Sequence, residues 1–247
     1  MPRLVDPYRV LASKPKTQVL MASSTRQGTA IRQEDVVSVF SDECVVMVDG
    51  LSTSSRGDIA ARVASETALW AYKHIRLHPS FWVDKKQFMK RIFRSSNLAV
   101  WQKLREKECE GGAQTTLTVA MIGPLNIFIG QAGDTGVFLY REGSLKQLTS
   151  FERSKDELPM HTLGVKRLGL VHEFVSAEFL PHDVLLLLSD GAWEHVNNTL
   201  LKTAAQNSGG SESSLSHAVE VLLDAVMKRG GKSNMSAVMV KRLPSSG

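Results

Sequence analysis

Stacked antiparallel sheets flanked by helices, an α+β layered domain, are predicted by three features of the 247-residue sequence. Three stretches repeat apolar residues at helical spacing, six short runs are almost continuously apolar, and one pair of those runs is joined by a turn of hairpin length. Runs that are apolar throughout, rather than in alternation, are what strands covered on both faces look like. Such sheets need a layer against each side.

In chain order, strands are expected over Val36 to Phe40 and Cys44 to Val48. From Gly57 to Arg76, the residues Ala60, Val63, Ala64, Thr67, Ala68, Ala71, Tyr72 and Ile75 recur at steps of three and four, the period of a helix with one buried face. A second helix is expected from Asp84 to Lys107, with Met89, Ile92, Phe93, Ser96, Val100 and Leu104 on one side. Leu117 to Ile122 and Ile127 to Gln131 flank Gly123-Pro124-Leu125-Asn126, a connection short enough to make the pair antiparallel. Val137 to Tyr140 and Val184 to Leu188 follow as strands, then a helix from Ser213 to Arg229 stopped by Gly230-Gly231, then a last strand over Ala237 to Val240. The small-residue tracts Gln206 to Ser214 and Pro244 to Gly247 read as loop and terminus. Neither GxGxxG nor GxxxxGK[ST] is present to support a βαβ alternative. One domain is expected over 1–247, with 1–16 as an N-terminal extension and 243–247 as a tail.

Composition excludes several classes. With 30 Lys+Arg against 25 Asp+Glu, a formal charge of +5, 43% hydrophobic and 22% charged residues, the chain is neither a disordered tail nor a membrane protein. Its basic residues are scattered without a block of five, so no nucleic-acid partner is expected. Cys44 and Cys109 lack CxxC or Cys/His ligand spacing and fit a reducing compartment. No signal-peptide core and no bilayer-length apolar run occur, so a soluble, cytoplasmic monomer is expected.

The chemistry lies in acidic residues placed where apolar runs end. Asp49 follows Val45 to Val48 and precedes Gly50; Asp190 follows Leu185 to Ser189 and precedes Gly191; Asp134 lies in Gly133-Asp134-Thr135-Gly136. An isolated Asp-Gly is most often a turn. Three carboxylates at buried strand ends are another matter, because each is costly to desolvate unless a cation or donor meets it. They point to one shared site, to which Glu34-Asp35 adds acidic groups, and oxygen donors without paired histidines favour Mg²⁺ or Mn²⁺ over Zn²⁺.

The ordered segments Arg32-Gln33-Glu34-Asp35, Val46 to Gly50, Gly112 to Thr116, Gly133 to Gly136, His161 to Gly164, Leu187 to Glu194 and Ser233 to Val238 resemble the motifs of the metal-dependent protein phosphatase 2C-type (PPM) family, in its short bacterial form, over residues 17–242. The resemblance implies a four-layer αββα sandwich with the site at the end of the two central sheets. It also implies roles. Asp49 resembles the carboxylate bridging two metals, Gly50 the residue whose carbonyl faces the second through water, Glu34 the acidic residue on the second-metal side with Asp35 behind it, Asp190 the first-metal ligand, and Asp134 the aspartate of a third site. The implied reaction is hydrolysis of phosphoserine or phosphothreonine on a protein, a product of a Ser/Thr kinase, by water activated between two Mg²⁺ or Mn²⁺ ions, with a third as an option.

The chain departs from that pattern at two places. Ser233-Asn234 stands where the family has Asp-Asn, which removes one first-metal carboxylate, and Ala30 stands where it has a phosphate-binding arginine. Strand alternation would put Arg32 on the face of Ala30 and Glu34, so Arg32 is the candidate phosphate clamp. These departures leave a pseudophosphatase, a phosphoprotein-binding or regulatory module, as the rival reading. A haloacid-dehalogenase-like reading of Val48-Asp49-Gly50 fails because that chemistry needs a nucleophilic Asp where Met47 stands. His74 and His78 are expected to face solvent, Trp193 to pack at the core or rim, Arg56 to lie at the surface, Cys44 to be a small buried apolar residue, and Cys109, among acids, to be a poor nucleophile. Thr149 to Met160 corresponds to a small flap.

Overall fold

The computed structural model describes residues 18–51, 56–105, 112–151, 153–154 and 159–244, the side chains of Phe81 and Trp82 excepted. The expectation for Cys109, part of the flap, residues 1–16 and the last three residues thus lie outside the described residues; the second helix stops at Lys103, short of the expected Lys107, with Leu104 as its C-cap.

Among the described residues, ten strands form two sheets. The elements are β1 (Val19–Arg26), β2 (Asp35–Phe40), β3 (Cys44–Asp49), α1 (Gly57–Ile75), α2 (Lys85–Lys103), β4 (Leu117–Ile122), β5 (Asn126–Ala132), β6 (Gly136–Arg141), β7 (Ser144–Gln147), β8 (Glu173–Glu178), β9 (Val184–Leu188), the short α3 (Asp190–Trp193), α4 (Asn198–Gln206), α5 (Glu212–Lys228) and β10 (Met235–Arg242). One sheet runs β1-β10-β9-β6-β7 and the other β2-β3-β4-β5-β8. Every pairing between named strands is antiparallel, including the β4–β5 hairpin.

The continuous apolar runs are explained by where alternate residues go. Cys44, Val46 and Val48 pack with α1 and α2, whereas Val45 and Met47 join the layer between the sheets. In the other sheet Val184, Leu186 and Leu188 pack with α4 and α5, and Leu185 and Leu187 meet the same inter-sheet layer. Three apolar layers therefore separate four structural ones, helices–sheet–sheet–helices. The expected αββα sandwich is what forms.

Some elements lacked a visible signal. β1, β7 and β8 are half-exposed or edge strands whose residues are mixed in polarity, and α4 occupies nine residues ahead of the small-residue tract, sharing only Gln206 with it. Of that tract only 207–211 is irregular, because Ser211 caps α5 through a reciprocal hydrogen-bond pair with Ser214.

Antiparallel connection also decides where the acidic residues meet. β3 ends at Asp49 opposite the first residue of β2, Asp35, while Leu188 at the end of β9 lies opposite Gly136 and Ala237 near the starts of β6 and β10. The residues just before β4, β6 and β10 and just after β3 and β9 thus gather at one end of the sandwich. Leu187→Ala, in the buried inter-sheet layer, is expected to cost about 3 kcal/mol, lowering Tm by roughly 6–12 °C. Val39→Ala, at a 40% exposed position, should stay within about 0.5 kcal/mol; equal losses in the two melts would contradict this layering.

Candidate active site

Asp35 is the joint between the sheets. Its buried Oδ2 accepts hydrogen bonds from Ser189 Oγ at 2.8 Å and Ser236 Oγ at 2.7 Å, both on the opposite sheet. Ser189 accepts in turn from the Ser236 amide at 2.8 Å. Oδ1 of Asp35 is buried with no hydrogen-bond partner of its own. Beside it, the backbone of Asp49 is held by Thr115 and Thr116: the Thr116 amide and the Thr115 hydroxyl both donate to the Asp49 carbonyl at 2.8 Å, and Thr116 Oγ1 accepts from the Asp49 amide at 3.0 Å. Gly50 donates to the Glu34 carbonyl at 3.1 Å, and the Asn234 amide oxygen accepts from the Glu34 amide at 2.7 Å.

Both Asp-Gly pairs are there because the chain crowds. A β-carbon on Gly50 would lie 2.4 Å from the Gly57 carbonyl oxygen, and one on Gly191 would lie 2.1 Å from the Asn234 carbonyl oxygen and 2.5 Å from Ser233 Oγ. The approach at Gly191 puts Ser233 next to Asp190, the first residue of α3. It also ties the start of β10 to the end of β9.

The carboxylates here repel one another. Burial pushes Asp49 well above the usual carboxylate range, and Asp35, Asp190 and Asp134 push it further. Burial raises Asp35 to about 6, with Asp190 adding to the rise and the two serine hydroxyls opposing it. Burial and Asp190 raise Asp134 to about 6 against the pull of Arg153. Glu34 is raised by burial and by Asp58, a carboxylate in the first turn of α1 that itself pairs with Arg56 (Nε to Oδ1, 3.2 Å) and is held below its usual range by that contact despite partial burial. Glu34 and Asp58 are therefore one side of the site, and Asp35, Asp49, Asp134 and Asp190 the other.

Arg153 answers this charge. Its Nε donates to Asp134 Oδ2 at 2.6 Å, its NH2 to Asp190 Oδ2 at 3.2 Å and its NH1 to Glu194 at 2.5 Å. Burial works against the guanidinium's charge, but Asp134 and Glu194 more than offset it and hold its pKa above the usual value. Trp193 places this side chain: it stacks on Phe151 with centroids 3.9 Å apart, lies under the guanidinium at 4.7 Å, and donates Nε1 to the Asp134 carbonyl at 2.9 Å. Trp193 thus packs at the rim, as expected. Nothing in the sequence marks Arg153, one basic residue in a polar loop.

Asp49, Asp190, Asp134, Glu34 and Gly50 all come to the common end of the sheets. One expectation needs correction. Arg32 is exposed in a bend, because the strand starts only at Asp35; alternation therefore does not align it with Glu34, although its charge does act on Glu34 and Asp58. Asp35, expected behind Glu34, is buried, and its side chain accepts from Ser189 and Ser236 across the sandwich. Among the described residues, no three carboxylate, imidazole or thiol groups close around one point as a ready metal cage. The donor set still suits hard dications: oxygen atoms only, short of positive charge, with a bare buried carboxylate oxygen on Asp35. Among the described residues no helix is long and apolar enough to cross a membrane. Cys44 is buried, and His74 and His78 are exposed, as expected.

The pattern of the protein phosphatase 2C family matches residues 23–243. This chain belongs to that family, whose members are metal-dependent serine/threonine phosphatases. The serine/threonine phosphatase stp of Listeria welshimeri is 26% identical over 232 residues, covering 85% of this chain and 90% of the relative. Probable protein phosphatase 2C 28 of Arabidopsis thaliana is 26% identical over 227 residues, 78% of this chain and 64% of the relative. Among solved structures, the Mycobacterium tuberculosis serine/threonine phosphatase PstP/Ppp superposes with a TM-score of 0.76 at 20% identity, covering 92% of this chain and 99% of that one. The PstP catalytic domain in complex with two manganese ions gives 0.73 at 21% identity, over 92% and 100%.

The raised carboxylates predict a pH response of the metal-free protein. Because Asp35 and Asp134 have folded pKa values of about 6, above their unfolded value of 3.8, their contribution to stability is full below about pH 4 and is lost as pH rises through about 6; Asp49, raised by burial and its neighbours, acts in the same direction. In chelator, the Asp35→Asn protein should therefore lose less Tm than the wild type between pH 5 and pH 7.5. Parallel losses would mean that Asp35 carries no excess proton when folded.

Proposed function

We propose that this protein is a metal-dependent phosphoserine/phosphothreonine protein phosphatase whose metal ligands are Glu34, Asp49, the Gly50 carbonyl and Asp190, with Asp134 at a further position. The observation that carries the reading is the meeting of Asp49, Asp35 and Asp190 at one end of the sheets, where Asp35 and Asp190 raise the pKa of Asp49 and Asp190 raises that of Asp35, in a chain of the protein phosphatase 2C family. Mg²⁺ or Mn²⁺, when bound, would supply an acidified water nucleophile and neutralise charge developing on the phosphoryl oxygens. The manganese pair belongs to the PstP catalytic domain, and its transfer to this chain is part of the proposal.

The chain's own residues do the rest. Thr115 and Thr116 hold Asp49 in place through three hydrogen bonds, so its carboxylate is preset rather than searched for. Arg32, exposed beside Glu34 and Asp58, is the candidate to meet a substrate phosphate, and Arg32→Ala tests it through KM on a phosphopeptide. Arg153 neutralises Asp134 and Asp190 as a tethered cation, so it competes with a dication for both.

The reading makes two measurable demands. Wild-type protein with millimolar Mn²⁺ should hydrolyse a phosphothreonine peptide, and Asp49→Asn should lower kcat by at least about 100-fold, roughly 2.7 kcal/mol. Calorimetric Mn²⁺ titration should show tighter binding for Arg153→Gln and for Ser233→Asp, each by about tenfold or 1.4 kcal/mol. Tight phosphopeptide binding with turnover no higher than that of Asp49→Asn would establish the pseudophosphatase instead, the reading that Ser233 and the unclosed cage favour.

A further inference from the structure

Away from the carboxylates, a cavity of about 540 Å³ lies between α2 and the segment that leads into β8. Its lining includes Lys90, Arg91, Arg94, Arg167, Leu168 and His172. Helix α2 carries six basic residues and no acidic one, and residues 159–172 add Lys166 and Arg167, again with no acid. An ordinary surface helix mixes signs and neutralises itself through i,i+4 pairs. This one has no carboxylate with which to do so. Among the described residues, Lys90, Arg91, Arg94 and Arg167 have no ion-pair partner; Arg91 lies over the Phe88 ring at 5.3 Å and Arg167 over Trp101 at 5.5 Å. The acids that flank these segments in sequence are engaged: Asp84 accepts from the Gln87 amide at 2.9 Å as the N-cap of α2, and Glu173 accepts from the amide and hydroxyl of Ser150 at 3.0 Å each.

The groove is built rather than incidental. Asn97, buried at 2% exposure, accepts from the Gly164 amide at 3.0 Å and donates to the carbonyls of Lys166 at 2.8 Å and Arg167 at 3.3 Å, which pins the loop to the helix. His172 stacks on Phe93 with centroids 4.5 Å apart and forms the floor. Burial, then Lys90 and Lys86, hold its imidazole below the usual range, a local record of the positive potential. Leu168, Val165 and Val171 are more than half exposed along the same loop, so the surface is apolar as well as cationic.

The groove also points at the site. A second cavity of about 300 Å³ shares Asn97, Gly169 and Leu170 with the first and reaches His161 and Thr162. Thr162 bonds Gln114 at 3.0 Å, and the neighbouring Leu163 bridges Thr115, whose hydroxyl holds the Asp49 carbonyl. From Asn97 back to Gln87 the groove follows α2 for roughly 15 Å at 1.5 Å per residue, enough for about five residues of extended peptide.

We infer that this groove docks an acidic segment of the phosphoprotein substrate, a few residues away in sequence from the phosphorylated side chain. The inference rests on the phosphatase reading for the identity of the partner. Arginine clusters beside apolar residues suit acidic peptide motifs, and the groove's connection to the Asp49 end favours a segment of the substrate over a separate ligand.

The test uses the 247-residue chain and has two arms. In the first, fluorescence anisotropy follows a labelled, unphosphorylated ten-residue peptide rich in Asp, Glu and Leu, against a Ser/Leu control of equal length. The wild type should bind the acidic peptide at least tenfold more tightly than the control, and the preference should vanish in Arg94→Glu/Arg167→Glu and fall in 0.5 M salt. The milder Arg94→Gln/Arg167→Gln pair should give an intermediate loss, which separates charge from damage to the fold. In the second arm, kcat/KM for a phosphothreonine peptide carrying the acidic segment should fall at least tenfold in the charge-reversed protein, through KM, with hydrolysis of p-nitrophenyl phosphate unchanged. Equal binding of the acidic and control peptides, unaltered binding in both variants, or tighter capture of anionic phospholipid vesicles or duplex DNA at matched charge would overturn the inference. If the wild type hydrolyses nothing, the phosphatase reading fails and the anisotropy arm still decides the groove.

Discussion

Mutual repulsion among carboxylates at a buried sheet end governs the rest of this structure. Each carboxylate, placed alone where an apolar strand stops, would seek water, and together they also oppose one another. The fold meets this demand by several means at once. Asp35 takes two hydroxyl hydrogen bonds from the facing sheet, Asp134 takes a guanidinium, and Asp190 takes its own helix amide at Gly191 as well as part of the same guanidinium. The remaining deficit of positive charge is what a dication would fill. The arrangement that links the sheets is therefore the arrangement that prepares the chemistry.

Replacement of an aspartate by Ser233 alters the balance. With Ser233 packed against Gly191 and facing Asp190 from the start of β10, the site has one negative charge fewer than the family pattern. A neutral hydroxyl lessens repulsion in the metal-free protein and weakens the attraction for an ion by the same physics. Arg153 pushes in the same direction, since a cation tethered by the Phe151–Trp193 stack reaches Asp134 and Asp190 without cost in translational freedom. The two features belong together: fewer charges to neutralise, and one neutralising group supplied by the chain.

How much was legible follows from the range of each signal. Strands covered on both faces announce themselves, because Cys44 to Val48 or Val184 to Leu188 must be apolar at every position. Edge strands need not be, so Glu173–Glu178 and Ser144–Gln147 look like loop. Asp49, Asp134, Asp190 and Glu34 stood out by position at strand ends, and Gly50 by resemblance. Arg153 had neither kind of mark, since its partners Asp134, Asp190 and Glu194 are 19, 37 and 41 residues distant. The strand alternation expected at Arg32 failed on a local matter, a strand that begins at Asp35 rather than earlier.

By itself the sequence determined the layered α+β class, the helices and central strands, and the acidic character of one site, because hydrophobic period and the cost of desolvating a carboxylate are properties of short segments. Only the tertiary structure decided that Asp35 joins the two sheets, that Arg153 lies among the carboxylates, and that Arg167 comes to the basic residues of α2 around one groove. Those are contacts between segments remote in sequence, and their geometry is set by strand register and layer packing rather than by any local run of residues.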